Sequence, residues 1–143
     1  MNPKATAPIV AAAAGIFLAA AVAGSGVARS PQDPALQTMT LTMHHSGFRP
    51  AHFTVRRGTT VRFVITNTDP IDHEFILGDE AVQRRHESGT EPAHGAIPGE
   101  VSVPAGGTAE TTYTFTRPGL LLIGCHAPGH YAYGMQGWVW VVD

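Results

Sequence analysis

From Gln37 to the C-terminus, apolar side chains recur at every second position. Met39, Leu41 and Met43 share one face, Phe53 and Val55 another, and Val61, Phe63 and Ile65 a third. Val101 and Val103, then Ala109, Thr111, Tyr113 and Phe115, repeat the pattern. Side chains alternate across a strand with this period, whereas a helix would repeat every three or four residues. Gly47, Gly58, Asn67, Pro104 to Gly107 and Arg117-Pro118-Gly119 bound the runs as turn residues do, and "LLLIG" and "GWVWVVD" read as the last two strands. Seven or eight short strands spaced about ten residues apart, with no long helix, predict an all-β fold, an antiparallel Greek-key β-sandwich. Trp138 and Trp140 are expected in its core. The polar segment "DEAVQRRHESGTEPAHGAIPGE" breaks the alternation and reads as a long excursion at about residues 78–100, with a helical turn around Glu80 to Glu87.

The 143 residues suit a single domain, since domains of roughly 100–150 residues are the common case. Residues 1–28 have a different character: Lys4, an apolar run from Ile9 to Ala23, then small residues ending Ala21-Val22-Ala23 and Gly26-Val27-Ala28. This is the pattern of a cleaved signal peptide, and the run falls short of the ~20 apolar residues that a spanning helix needs. Residues 29–36, "RSPQDPAL", read as a short leader, and 37–143 as the folded domain. The mature product is thus expected to be exported, periplasmic or extracellular, with no stable membrane insertion after processing. Cleavage removes Lys4, the only lysine, and leaves eight arginines against eleven acidic residues, a net charge of about −3. That balance argues against nucleic acid as a partner.

An exported chain with one cysteine poses a problem, because in an oxidising compartment cysteines usually pair. Cys125 opens the stretch "CHAPGHYAYGM", in which Cys125, His130 and Met135 form C-x4-H-x4-M. Thiolate, imidazole and thioether together suit copper, and a His2Cys plane with a weak axial Met describes a blue copper electron-transfer site. Five extended residues would reach ~17 Å, so for their donors to share one ion the segment must curl back. Pro128-Gly129 supplies a turn, and Gly134 relieves the bend before Met135. The second imidazole is best supplied by His73, which opens a strand after "NTDPID".

"NTDPIDHEF" followed by "CHAPGHYAYGM" resembles the small blue copper proteins, the cupredoxins, over about residues 37–143. The x-P-G-H element is similar to azurin. The Cys-to-His and His-to-Met intervals are similar to rusticyanin and auracyanin, while plastocyanin has a shorter first interval. The resemblance implies one type 1 copper ion held by His73, Cys125, His130 and Met135. It also implies that Asn67 ties the adjoining loop, and that the protein is a monomeric one-electron carrier rather than an enzyme. Its redox partner proteins would make transient contact through the apolar patch of Ala127, Pro128, Tyr131, Ala132 and Tyr133 around His130. One departure is Glu74, which stands where many members have an Asn that locks the ligand loop; a carboxylate facing the metal would favour Cu(II).

The other histidines have plainer readings. His126 follows Cys125 directly and should point the opposite way, to the surface. His44 and His45, with Met39 and Met43, could form an accessory copper patch, although the methionines alternate with Leu41 as core residues do. His86 and His94 fall in the excursion, where a solvated loop is the default. A binuclear copper centre would need a second cysteine where Gly129 stands. A multicopper oxidase would need His before Cys125 and His-x-His pairs, which do not occur. A Cys-His hydrolase would leave His73 and Met135 without a role. The principal alternative keeps copper but changes its purpose to extracytoplasmic copper handling or resistance, and a metal-free β-sandwich binding module is the third.

Overall fold

The computed structural model describes residues 36–89, 95 and 97–143. The signal peptide, all of the leader except Leu36, and His94 lie outside the described residues. Among those described, nine strands and one helix follow in the order β1 Leu36–Met43, β2 Phe48–Arg49, β3 His52–Arg56, β4 Thr60–Asn67, β5 His73–Gly78, α1 Glu80–Glu87, β6 Glu100–Val103, β7 Thr108–Thr114, β8 Gly119–Gly124 and β9 Gln136–Val142.

The strands form two sheets, one ordered β2-β1-β4-β7 and the other β3-β9-β8-β5-β6. Two pairings are parallel, β1 with β4 and β3 with β9, and the rest are antiparallel. The parallel pairs arise because the chain leaves the first sheet after β2, enters the second through β3, and returns as β4. The ninth strand is the two-residue β2, too short to show an alternation of its own.

The expected faces meet in the sandwich interior. Leu41, Met43, Val61, Phe63, Ile65, Val103, Phe115 and Ile123 are each at most 1% exposed. Phe63 sits at the centre, its ring 5.1 Å from that of Phe75, 6.0 Å from Phe53 and 6.5 Å from Phe115. Burying each such ring contributes roughly 1.5–3 kcal/mol. The tryptophans do not join them. Trp138 and Trp140 remain 40% and 47% exposed on the outer face of β9, while Val139 and Val141 point inward. Four phenylalanines already fill the interior, so the small side chains of the Trp-Val alternation take the inner face. Trp138 instead stacks on His52, ring centres 4.4 Å apart.

Every residue of β5 is buried, because α1 packs over the outside of β5 and β8. Helix α1 starts where Asp79 accepts the Val82 amide at 2.9 Å. It carries Glu80 in its first turn and Arg84, Arg85 and His86 in its last, charges that suit the positive N-terminal and negative C-terminal ends of a helix. Its buried residue, Gln83, donates to the carbonyls of Ile76 and Leu122 at 3.2 Å each, pinning the helix to both strands.

Candidate metal centre

Strands β5 and β8 are antiparallel neighbours with Ile76 opposite Gly124, which places His73 at the start of β5 beside Cys125 just past the end of β8. The Cys125 amide donates to the Met135 carbonyl at 3.2 Å, extending the β8–β9 pairing by one step beyond Gly124 and Gln136. Three of the four sequence-predicted residues thus gather at one end of the sandwich through strand register alone.

His130 comes in through the loop. The chain turns as expected at Pro128-Gly129: Gly129 has φ +83 and Gly134 φ +96, backbone that residues with a Cβ rarely adopt. The His130 amide donates to the Ala127 carbonyl at 2.9 Å, and the Met135 amide to the His130 carbonyl at 3.0 Å. Nδ1 of His130 lies 3.3 Å from Sγ of Cys125 and 3.2 Å from Nδ1 of His73, and Sγ lies 3.8 Å from Nδ1 of His73. Donors in a plane about 2.0–2.3 Å from a common ion stand about 3.5–4 Å apart. The three atoms therefore fit one metal with little adjustment, and thiolate with two imidazoles is a donor set for copper. Among the described residues, no other three His, Cys, Asp or Glu side chains converge in this way. Met135 is 1% exposed and held by its backbone between Cys125 and His130.

Electrostatics at the centre follow from burial. Burial pushes the Cys125 thiol up to about 11, against the opposing pull of the Glu74 and Ala127 amides, and the Glu74 charge adds to the rise. The thiol is therefore protonated near neutral pH in the metal-free protein, and a metal must displace that proton. His130 is lowered from its ordinary value, first by burial and then by its neighbour His73, so it is held toward the neutral form that ligates.

The surroundings bear out some expectations and correct others. Asn67 ties the loop before His73: its side-chain amide donates to the carbonyls of Ile71, Val103 and Pro104 at 2.7, 3.1 and 3.2 Å, and its oxygen accepts the Asp69 amide at 2.9 Å. Glu74 does the locking expected of Asn, since its carboxylate accepts the His126 amide at 3.2 Å, and it is not part of the converging donor group. His126 points away from the thiol but not into solvent. Its ring lies beneath α1, with Nε2 on Gln83 Oε1 at 2.8 Å, Nδ1 on Glu87 at 2.9 Å and Tyr131 stacked at 4.5 Å. His86 is likewise covered, Nδ1 facing the Val82 carbonyl at 2.9 Å and Nε2 facing Glu100 at 3.2 Å. Both corrections have one cause: the excursion folds back as a helix over this sheet. His44 and His45 are stacked with ring centres 3.8 Å apart, while Met43 is fully buried in the core.

Sequence reading missed Asp69, whose carboxylate faces Nε2 of His73 at 2.9 Å, and Gln83. A carboxylate four residues before a ligand histidine was a signal for the first. Nothing in a polar helical turn marked the second.

A sequence profile of the cupredoxin-like domain matches residues 10–91, a span that includes His73 and stops short of Cys125. The chain is 45% identical over 93 residues to the copper-resistant cuproprotein CopI of Rubrivivax gelatinosus, covering 63% of this chain and 56% of that protein. It is 34% identical over 122 residues to the protein of the same name from Pseudomonas aeruginosa, covering 63% of this chain and 67% of that one. It thus spans between about half and two thirds of the length of these relatives. Auracyanin A, a "blue" copper protein of Chloroflexus aurantiacus, superimposes with a TM-score of 0.58 at 25% identity, over 75% of this chain and 99% of that one. Sheet order, donor chemistry and these matches agree that the chain belongs to the cupredoxin-like family, with copper as its metal.

Proposed function

We propose that the chain is an exported copper-tolerance protein working through one mononuclear type 1 centre, whose copper His73, Cys125 and His130 would hold together with the Met135 thioether. The observation that carries the reading is the convergence of one sulfur and two imidazole nitrogens within 4.8 Å, two of these residues buried and His130 partly exposed. Bound there, copper supplies a one-electron couple between its cuprous and cupric states. Cys125 provides the thiolate, supported by the Glu74 amide at 3.3 Å. His73 is fixed by its strand, and His130 stands at the rim beside exposed Pro128, Ala132 and Tyr133. A small apolar rim of this kind suits brief contact with a redox partner. The relatives named for copper resistance favour tolerance as the purpose. The chain binds copper and passes electrons, and no reaction on a small substrate is proposed.

A second reading, an electron carrier with no part in tolerance, draws on the likeness to auracyanin A. One experiment addresses both. The full chain is expressed in a copper-sensitive bacterium, and the purified mature protein is titrated with Cu(II) while its visible and paramagnetic resonance spectra are recorded. Wild type is expected to raise the copper concentration tolerated and to develop an intense thiolate-to-copper band, and Cys125→Ser to do neither. The band without any gain in tolerance favours the carrier. Absence of the band from wild type refutes the type 1 assignment.

A further inference from the structure

We propose that Asp69, clamped by two backbone amides of the turn after β1, is a positioning residue that sets the tautomer of His73 and lowers the reduction potential of the copper site. The copper half of this proposal rests on the reading of His73 as a ligand. Asp69 is 6% exposed, and its carboxylate accepts the His45 amide on one oxygen at 2.8 Å and the Ser46 amide on the other at 2.8 Å. The oxygen shared with Ser46 also meets Nε2 of His73 at 2.9 Å.

The geometry fixes where the proton lies. An ionised carboxylate only accepts, so the hydrogen between Asp69 and His73 belongs to Nε2. That leaves the Nδ1 lone pair facing Sγ of Cys125 and Nδ1 of His130, 3.8 and 3.2 Å away. A histidine that ligates through one nitrogen and gives the other to a carboxylate is oriented and made more basic, which strengthens its hold on the more highly charged ion.

The turn adds an independent observation. His45 and Ser46 both have φ +50, an unfavourable conformation for residues that carry a Cβ. Consecutive amides in such a conformation aim at a common anion, and here the anion is the Asp69 carboxylate. The turn is closed by paired hydrogen bonds between His44 and Gly47, at 2.9 and 3.2 Å. From the other side, Asn67 fixes the Asp69 amide at 2.9 Å and the Asp69 carbonyl accepts the Gly106 amide at 3.2 Å. The turn therefore holds the carboxylate while the neighbouring loops hold the Asp69 backbone, and a ring nitrogen of His73 is the side-chain group the carboxylate receives at hydrogen-bond distance. His44 is a further titratable group nearby, its Nδ1 4.0 Å from Asp69 and 2.9 Å from the Thr68 hydroxyl.

The test combines a metal-free and a copper-loaded measurement on the mature protein. Long-range proton–nitrogen correlation of the nitrogen-labelled, metal-free wild type at neutral pH is expected to show His73 with its hydrogen on Nε2. Redox titration of copper-loaded Asp69→Asn, followed at the visible band, is expected to show the preference for Cu(II) over Cu(I) reduced about tenfold, a shift of ~59 mV to more positive potential, with the band retained. An Nδ1–H tautomer in wild type, or an Asp69→Asn potential equal to that of wild type, overturns the proposal. A merely structural clamp would leave the potential unmoved. If His73→Gly kept the wild-type band, the ligand assignment and the tuning role would fall together, whereas the tautomer is read without copper and would stand by itself.

Discussion

The backbone amide of Glu74 donates to Sγ of Cys125 across 3.3 Å, while the carboxylate of the same residue accepts the amide of His126 at 3.2 Å. One residue thus holds both the sulfur and the chain that follows it. Glu74→Ala keeps the first contact and removes the second. Because hydrogen bonds to charged groups contribute roughly 1.5–3 kcal/mol, the variant is expected to lower the unfolding free energy of the metal-free protein by about 1–3 kcal/mol and to retain the visible copper band. Urea denaturation followed by circular dichroism measures the first, and an unchanged midpoint would contradict the locking role.

Met135 is buried with its amide on the His130 carbonyl and its carbonyl on the Cys125 amide, so a substitution there changes the side chain at a fixed backbone position. Met135→Gln is expected to keep copper and to shift the potential downward, since an amide oxygen is a harder axial donor than a thioether. Voltammetry that finds the same potential in both proteins would remove Met135 from the ligand set.

Gly124 packs against α1. A Cβ there would lie 2.5 Å from Gln83 Oε1 and 2.7 Å from the Tyr131 ring, and Gln83 cannot easily yield because its amide also holds Ile76, Leu122 and His126. Gly124→Ala is expected to cost about 1–3 kcal/mol through overpacking. Thermal unfolding checks this, and a midpoint equal to wild type would show that the helix moves aside freely.

Asp69 gives the metal-free fold a defined acid sensitivity. Burial alone would raise its carboxyl, but hydrogen bonds from Ser46, His73 and His45 outweigh that and hold it at about 2, below the ordinary 3.8. A carboxyl depressed in the folded state stabilises the fold above its ordinary value and loses that contribution as pH falls through the folded one. Stability should therefore decline between about pH 4 and pH 2, and Asp69→Asn should flatten that part of the profile. Urea midpoints across this range measure it, and parallel profiles for the two proteins would contradict the assignment.

Much of the candidate site was legible because its spacing is local. Cys125, His130 and Met135 lie within eleven residues, and the turn that gathers them is marked by Pro128, Gly129 and Gly134. The buried faces of β1 and β4 were legible because strand alternation is a property of neighbouring residues. Trp138 and Trp140 were misplaced for the same reason: alternation says that Trp and Val point to opposite faces, but not which face is inside. His126 and His86 were misplaced because nothing in their own segments reveals that α1 lies across β5 and β8.

The sequence by itself determined the donor types, the loop that brings His130 back beside Cys125, and a sandwich of alternating strands. Only the tertiary structure decided which residues stand behind the donors. Asp69 reaches His73 because a turn more than twenty residues upstream aims two amides at it, Glu74 reaches His126 across 52 positions, and Gln83 fastens a helix to both β5 and β8. The physical reason is that side-chain type and backbone propensity act over a few residues, whereas hydrogen bonds between distant segments depend on register and packing that exist only once the whole chain has folded.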